Sequence, residues 1–186
     1  MTGPTWAVFG GSFDPPHMGH VMGATWVAST QGVDRVLVVP AFQHAFDKRL
    51  TPFAHRRRMA ELAFSRLRGV TVTDLEARLG GASYTVRTLE YLKQSHPGVA
   101  LRLMIGTDLV DQVPQWREGP RIPELAALLV VGRGGYADEG GEHESVVMPE
   151  VSSTEVRRRL GAGESVAHMV PREVAAYAVR HGLYTS

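Results

Sequence analysis

The chain contains no cysteine. That absence excludes disulfide staples, a thiolate nucleophile and a cysteine-ligated zinc. Lysine is nearly as scarce: Lys48 and Lys93 follow Asp47 and Leu92. Neither follows a glycine, which rules out the phosphate loop G-x-x-x-x-G-K-[ST]. The dinucleotide fingerprint G-x-G-x-x-G is missing from the first strand-to-helix turn. No apolar run approaches the roughly 18 residues of a membrane span, and MTGPTWAVFGG at the N-terminus lacks the basic and apolar regions of a signal peptide. The expectation is a cytoplasmic protein with no membrane partner. A formal net charge of +1 provides no global field to draw nucleic acid.

What remains is the composition of an ordinary globular domain, with 186 residues and 44% hydrophobic side chains, and one domain over residues 1–186 is the expectation. Apolar runs at 5–10, 35–40, 69–75, 100–106 and 128–132 read as strands, with 145–149 as a candidate sixth. They are near-continuous rather than alternating, as in strands covered by helices on both faces. Helical stretches lie between and after them at 17–31, 52–67, 84–95, 108–113, 121–127, 153–161 and 171–181, with Pro52 and Pro171 suited to first turns. Strand, crossover and strand repeating in this way predict an α/β fold. Its core is a doubly wound parallel sheet with helices on both faces and a small C-terminal helical subdomain. Two loops stand out, AFQHAFDKRL at 41–50 and the glycine-rich, acidic GRGGYADEGGEHES at 132–145.

FGGSFDPPHMGH, residues 9–20, follows the first strand. Gly10 and Gly11 permit a tight turn and a close backbone approach to a ligand. The N–H groups opening the next helix are unpaired and its dipole is positive there, a combination that favours phosphate. His17 and His20, three apart, share one face of that first turn. A plain tight turn and a surface histidine pair are the structural alternatives. Near the other end, Ser152 and Glu155 in VSSTEVR form a capping box, which accounts for both without explaining Arg157. Three successive arginines in HRRRMAELAF, residues 55–64, read as a solvated face.

His17-Met18-Gly19-His20 after GGSFDPP resembles the (H/T)-x-G-H signature of the nucleotidyltransferase superfamily, and VSSTEVR at 151–157 resembles its second signature, I-S-S-T-x-x-R. GASYTVRTLEYL (81–92), MIGTDLVDQVPQWREGPRI (104–122) and VPREVAAYAVRHGLY (170–184) are similar to the bacterial nicotinate-mononucleotide adenylyltransferases, and the likeness covers essentially the whole chain. The resemblance implies a Rossmann-like nucleotidyltransferase fold and adenylyl transfer from ATP, carried with Mg²⁺, to nicotinate mononucleotide, with release of pyrophosphate. His17, His20 and Arg157 become the catalytic candidates. Gly10, Gly11, Ser12, Phe13, Gly19, Arg133, Ser153 and Thr154 join them in ATP binding. His44, Lys48, Tyr84, Thr85, Asp108 and Trp116 are the substrate-binding candidates, and no protein-held metal is expected. Asp108 also reads as a helix cap, Trp116 as a core residue and Arg133 as a surface arginine. The stretch PAFQHAFDK departs from the family's P-P-H-K, and Arg133-Gly134-Gly135 departs from its R-P-G.

Three other readings stay open at this level. One is an adenylyltransferase for nicotinamide mononucleotide or another phosphorylated acceptor, and another is a non-catalytic nucleotide-binding module. The last is an RNA-binding protein, since class I aminoacyl-tRNA synthetases share the first signature. The chain is short for a synthetase and lacks a K-M-S-K-S loop. A homo-oligomer is left open.

Overall fold

A computed structural model describes residues 3–44, 50–132 and 148–185. The first half runs β1 (Thr5–Gly11), α1 (Met18–Thr30), β2 (Arg35–Pro40), β3 (Gln43–His44), α2 (Phe53–Phe64), β4 (Val70–Val72), α3 (Leu75–Leu79), β5 (Ala82–Ser83) and α4 (Thr85–Ser95). The second half runs β6 (Ala100–Gly106), two 3₁₀ segments (Thr107–Gln115 and Gly119–Arg121), α5 (Ile122–Leu125), β7 (Ala127–Val131), α6 (Ser153–Gly161) and α7 (Arg172–Arg180). Five strands form a parallel sheet in the order β4-β2-β1-β6-β7, while β3 and β5 pair separately, also in parallel. The expected doubly wound sheet is present. The candidate strand at 145–149 falls mostly outside the described residues, and Met148 forms an isolated bridge.

The core follows from the strand period of two. Ala7, Val36, Val38 and Met104 face one apolar layer, built with Ala24 and Val27 of α1, Met59 and Phe64 of α2, Val156 of α6, and Val174 and Ala178 of α7. Their sequence neighbours Val8, Leu37, Val39, Leu103 and Ile105 face the other, built with Leu75 of α3, Leu89 and Leu92 of α4, and Ile122 of α5. Strands buried on both sides explain the continuous apolar runs. Each buried Val, Leu, Ile, Met or Phe among them stabilises by about 1.5–3 kcal/mol. The C-terminal helices α6 and α7 thus share the layer that α1 and α2 build.

The strand order reverses beside β1. β2 and β4 lie to one side of it, and β6 and β7 to the other. The carboxyl ends of β1 and β6 therefore splay around a crevice, the usual ligand position in such a sheet. No described helix is long and apolar enough to cross a membrane.

The arginine run needs correction. Arg57 and Arg58 are exposed and pair with Glu61, and Arg57 also pairs with Asp74. Arg56, however, is 1% exposed. It sits on the same stripe of α2 as Met59, Ala60 and Ala63, three, four and seven residues on, so the helix period carries it inward. The capping box is half made: the Glu155 N–H donates to Ser152 Oγ at 3.2 Å. The Glu155 carboxylate instead accepts from Arg158 and Arg159, which hold its pKa down to about 2. Arg158 and Arg159 are thus ion-paired with Glu155.

Candidate active site

Gly10 and Gly11 end β1, and Gly106 ends β6. Together with Phe9, His17, Gly19, His20, Asp108 and Pro149 they line a cleft of about 180 Å³ at the switch point. Helix α1 opens at this cleft with no acidic side chain in its first turn, so nothing on the helix neutralises its positive end. His17 is buried, and its ring stacks on that of His20 with centroids 3.7 Å apart at 30°. The His17 backbone N–H donates to His20 Nδ1 at 3.1 Å. An accepting Nδ1 assigns the proton of the neutral His20 ring to Nε2, which makes that nitrogen a donor.

Glycine at position 19 lets the His17 ring pack close to α1. A Cβ there would stand 3.1 Å from His17 Nδ1 and 3.2 Å from Cε1, inside ordinary contact. Gly10 is the opposite case, for a Cβ would meet nothing within 4 Å. Gly10→Ala is therefore expected to fold with a wild-type melting temperature while its methyl occupies cleft space meant for ligand. ATP affinity should fall about tenfold, near 1.4 kcal/mol. Calorimetric ATP titration beside thermal melting checks this, and equal affinity in variant and wild type contradicts it.

Phe13 adopts a left-handed backbone, φ +48°, unusual for a residue with a Cβ. Its ring is buried edge-on to Phe9 at 5.3 Å and to Phe64 at 5.9 Å, and lies 5.0 Å from the His20 ring. Ser12 and Phe13 are not among the residues lining the cleft. Phe13 instead supports His20 from beneath, and the Ser12 carbonyl accepts from Arg56.

The second signature meets the first. Ser153 Oγ donates to the Pro15 carbonyl at 2.8 Å, and Arg157 Nη1 donates to the Asp14 carbonyl at 2.6 Å. Arg157 Nη2 also reaches Thr154 Oγ1 at 3.2 Å. Residues some 138 to 143 positions apart thus join at one turn. The N-terminus of α6 is laid against the loop that opens α1.

Other candidates are more dispersed. Asp108, in the first turn of the 3₁₀ segment after β6, lines the same cleft as the histidines. Tyr84 precedes α4 and Thr85 begins it, and Tyr84 lines a separate hollow of about 360 Å³ with Arg87 and Arg117. The Arg117 guanidinium lies over the Tyr84 ring, 4.8 Å from its centroid. Trp116 packs against the second apolar layer. His44 ends β3, whereas Lys48 and Arg133 lie outside the described residues.

Three buried or half-buried groups behind the turn were not singled out by sequence. Asp14, 2% exposed, accepts from the Thr51 N–H at 3.1 Å and the Tyr184 hydroxyl at 2.7 Å. Burial, then the Asp14 charge, push the Tyr184 phenol well above its usual pKa, so it remains the donor. Glu76 accepts from the Phe42 N–H at 3.3 Å and from Thr88 Oγ1 at 3.0 Å.

Burial lifts the Glu76 carboxyl above its ordinary value of 4.5, against hydrogen bonds from Ser83, Thr88 and Phe42. A carboxyl raised in the native state favours the protein fully below the unfolded value. That contribution is lost as pH rises through the raised native one. Glu76→Gln, which resembles the protonated acid, should therefore gain stability relative to wild type between about pH 4 and pH 7. Urea unfolding of both proteins at the two pH values measures it. A constant difference would contradict the assignment.

Sheet, turn and histidine pair are those of a nucleotidyltransferase, and the family model described as cytidylyltransferase-like matches residues 8–159. An Anaeromyxobacter dehalogenans protein named "Probable nicotinate-nucleotide adenylyltransferase" is 43% identical over 181 residues, which cover 96% of this chain and 95% of that protein. A Thermus thermophilus protein of the same name is 41% identical, with 95% and 97% covered. The chain belongs to the nicotinate-nucleotide adenylyltransferase family. In fold it is similar to Plasmodium falciparum nicotinic acid mononucleotide adenylyltransferase complexed with NaAD, with TM-score 0.84 at 23% identity and 97% of each chain covered.

Proposed function

We propose that the chain transfers the adenylyl group of ATP to nicotinate mononucleotide, giving the deamido dinucleotide and pyrophosphate in NAD biosynthesis. One observation carries the reading: the stacked His17–His20 pair and the Arg157-bearing end of α6 meet at a single turn beside the switch-point cleft. Family membership supplies the acceptor.

The nucleophile is the 5′-phosphate of the mononucleotide. Its second pKa is about 6, so it is already largely dianionic at neutral pH and needs no general base. The barrier lies in bringing two anions together and in holding the charge of an in-line transition state at the α-phosphorus. His20, donating from Nε2, is assigned to the α-phosphate. His17 is assigned to neighbouring phosphate oxygens, and Ser153, Thr154 and Arg157 to the polyphosphate. The bond from α-phosphorus to the bridging oxygen breaks as the new one forms, and its electron pair leaves with pyrophosphate. Among the described residues no group of three or more His, Asp or Glu side chains fits a metal ion. We assign Mg²⁺ to the substrate MgATP, where nucleotide oxygens and water would hold it. Asp108 is assigned to a ribose hydroxyl and Tyr84, Thr85 and Trp116 to the acceptor.

Purified protein with MgATP and nicotinate mononucleotide is expected to release pyrophosphate in step with dinucleotide formation. ATP binding without turnover would instead favour a binding module. The departure of 40–48 from the family pattern makes nicotinamide mononucleotide the second acceptor to test. Comparing kcat/KM for the two mononucleotides decides between them.

A further inference from the structure

Resting on that functional reading, we infer that Arg56, Asp14 and Tyr184 form a positioning set that holds His20 in place from behind. Arg56 reaches three carbonyls from three segments: Thr51 at 2.7 Å through Nε, Ser12 at 2.8 Å through Nη1 and Phe42 at 3.2 Å through Nη2. Thr51 is held a second time, by its N–H to the Asp14 carboxylate. Ser12, Arg56, Thr51 and Asp14 thus close a ring of hydrogen bonds, and Phe13 is the residue bracketed between its two ends. Tyr184, itself left-handed at φ +68°, brings the C-terminal segment down onto Asp14.

The ring has a mechanical consequence. Phe13 is strained, and a strained residue persists only where its surroundings over-determine it. Its neighbours on both sides are fixed, Ser12 to Arg56 and Asp14 to Thr51, and its ring lies against the His20 imidazole. Loosening either anchor lets Phe13 relax toward ordinary backbone and withdraws the surface on which His20 rests. A guanidinium is needed at position 56, because only a planar fork of five donors meets three separate carbonyls at once. The set acts through His20 rather than on substrate.

Two variants test this. Arg56→Lys keeps the charge and the stem but not the fork. Tyr184→Phe removes one hydroxyl and keeps the packing. Misplacement of a reacting group by about 1 Å costs on the order of 10²-fold, so Arg56→Lys is expected to lose about that factor in kcat, and Tyr184→Phe about tenfold. KM for each substrate should change little. Leu92→Ala, a core truncation in the opposite layer, provides a destabilised control and should keep wild-type kcat below its melting temperature. The His20 imidazole ¹⁵N–¹H resonance gives a readout independent of turnover. It is expected to move in Tyr184→Phe and Arg56→Lys but not in Leu92→Ala. Should Arg56→Lys fail to fold, the resonance and kcat of Tyr184→Phe carry the test. An unmoved resonance with wild-type kcat in Tyr184→Phe overturns the inference, as does an equal kcat loss in Leu92→Ala. Absent turnover in the wild type would instead count against the functional reading, while the resonance would still judge this one.

Discussion

Replacing His20 with alanine is expected to lower kcat by about 10²–10³-fold, the usual loss for one preorganised donor at developing charge, or roughly 3–4 kcal/mol. His20 is half-buried, with the rings of His17, Phe13 and Phe9 beside it and its Nδ1 accepting from the His17 N–H. Truncation removes stacking as well as the donor, so some loss of melting temperature accompanies it. The effect on the transition state should nevertheless dominate, with KM for ATP rising much less than kcat falls. Steady-state kinetics below the melting temperature separates the two. A variant that turns over like the wild type would remove His20 from the mechanism.

Arg157→Ala is expected to lower kcat/KM for ATP by about 10²-fold, through a lost charged donor to phosphate. Two of its donors already hold the Asp14 carbonyl and Thr154 Oγ1, so the guanidinium braces the turn, and truncating it should disturb that turn as well. An ammonium cannot span these partners together, and Arg157→Lys should recover only part of the loss. Measuring kcat/KM for each substrate with the other saturating localises the effect. A loss confined to the acceptor would contradict the assignment to ATP.

Much of the fold was legible in the sequence because its strands are buried on both faces. Continuous apolar runs mark Arg35–Pro40 and Ala100–Gly106 to the residue. The elements that escaped have too few residues to show a period: β3 and β5 with two each, and α3 with five. The segment at 107–115 is helical but 3₁₀, with Pro114 inside it. At the site, the glycines and histidines were visible because each is an unusual choice for its local position. Arg56 was hidden by its own charge, although its spacing to Met59, Ala60 and Ala63 is that of a buried stripe. Asp14 and Tyr184 carry no local signal, since their partnership spans 170 residues and exists only once the chain is folded. Tyr84 and Asp108, both read as acceptor contacts, line different hollows.

The proposed chemistry requires two imidazoles and a distant guanidinium to converge on one triphosphate. A crystal structure with an ATP analogue that resists cleavage between the α- and β-phosphorus would show whether they do. Imidazole nitrogens of His17 and His20 and the guanidinium of Arg157 should each lie about 2.7–3.2 Å from phosphate oxygens of the same molecule. A nucleotide seated with its phosphates beyond reach of either histidine or of Arg157 would rule that arrangement out.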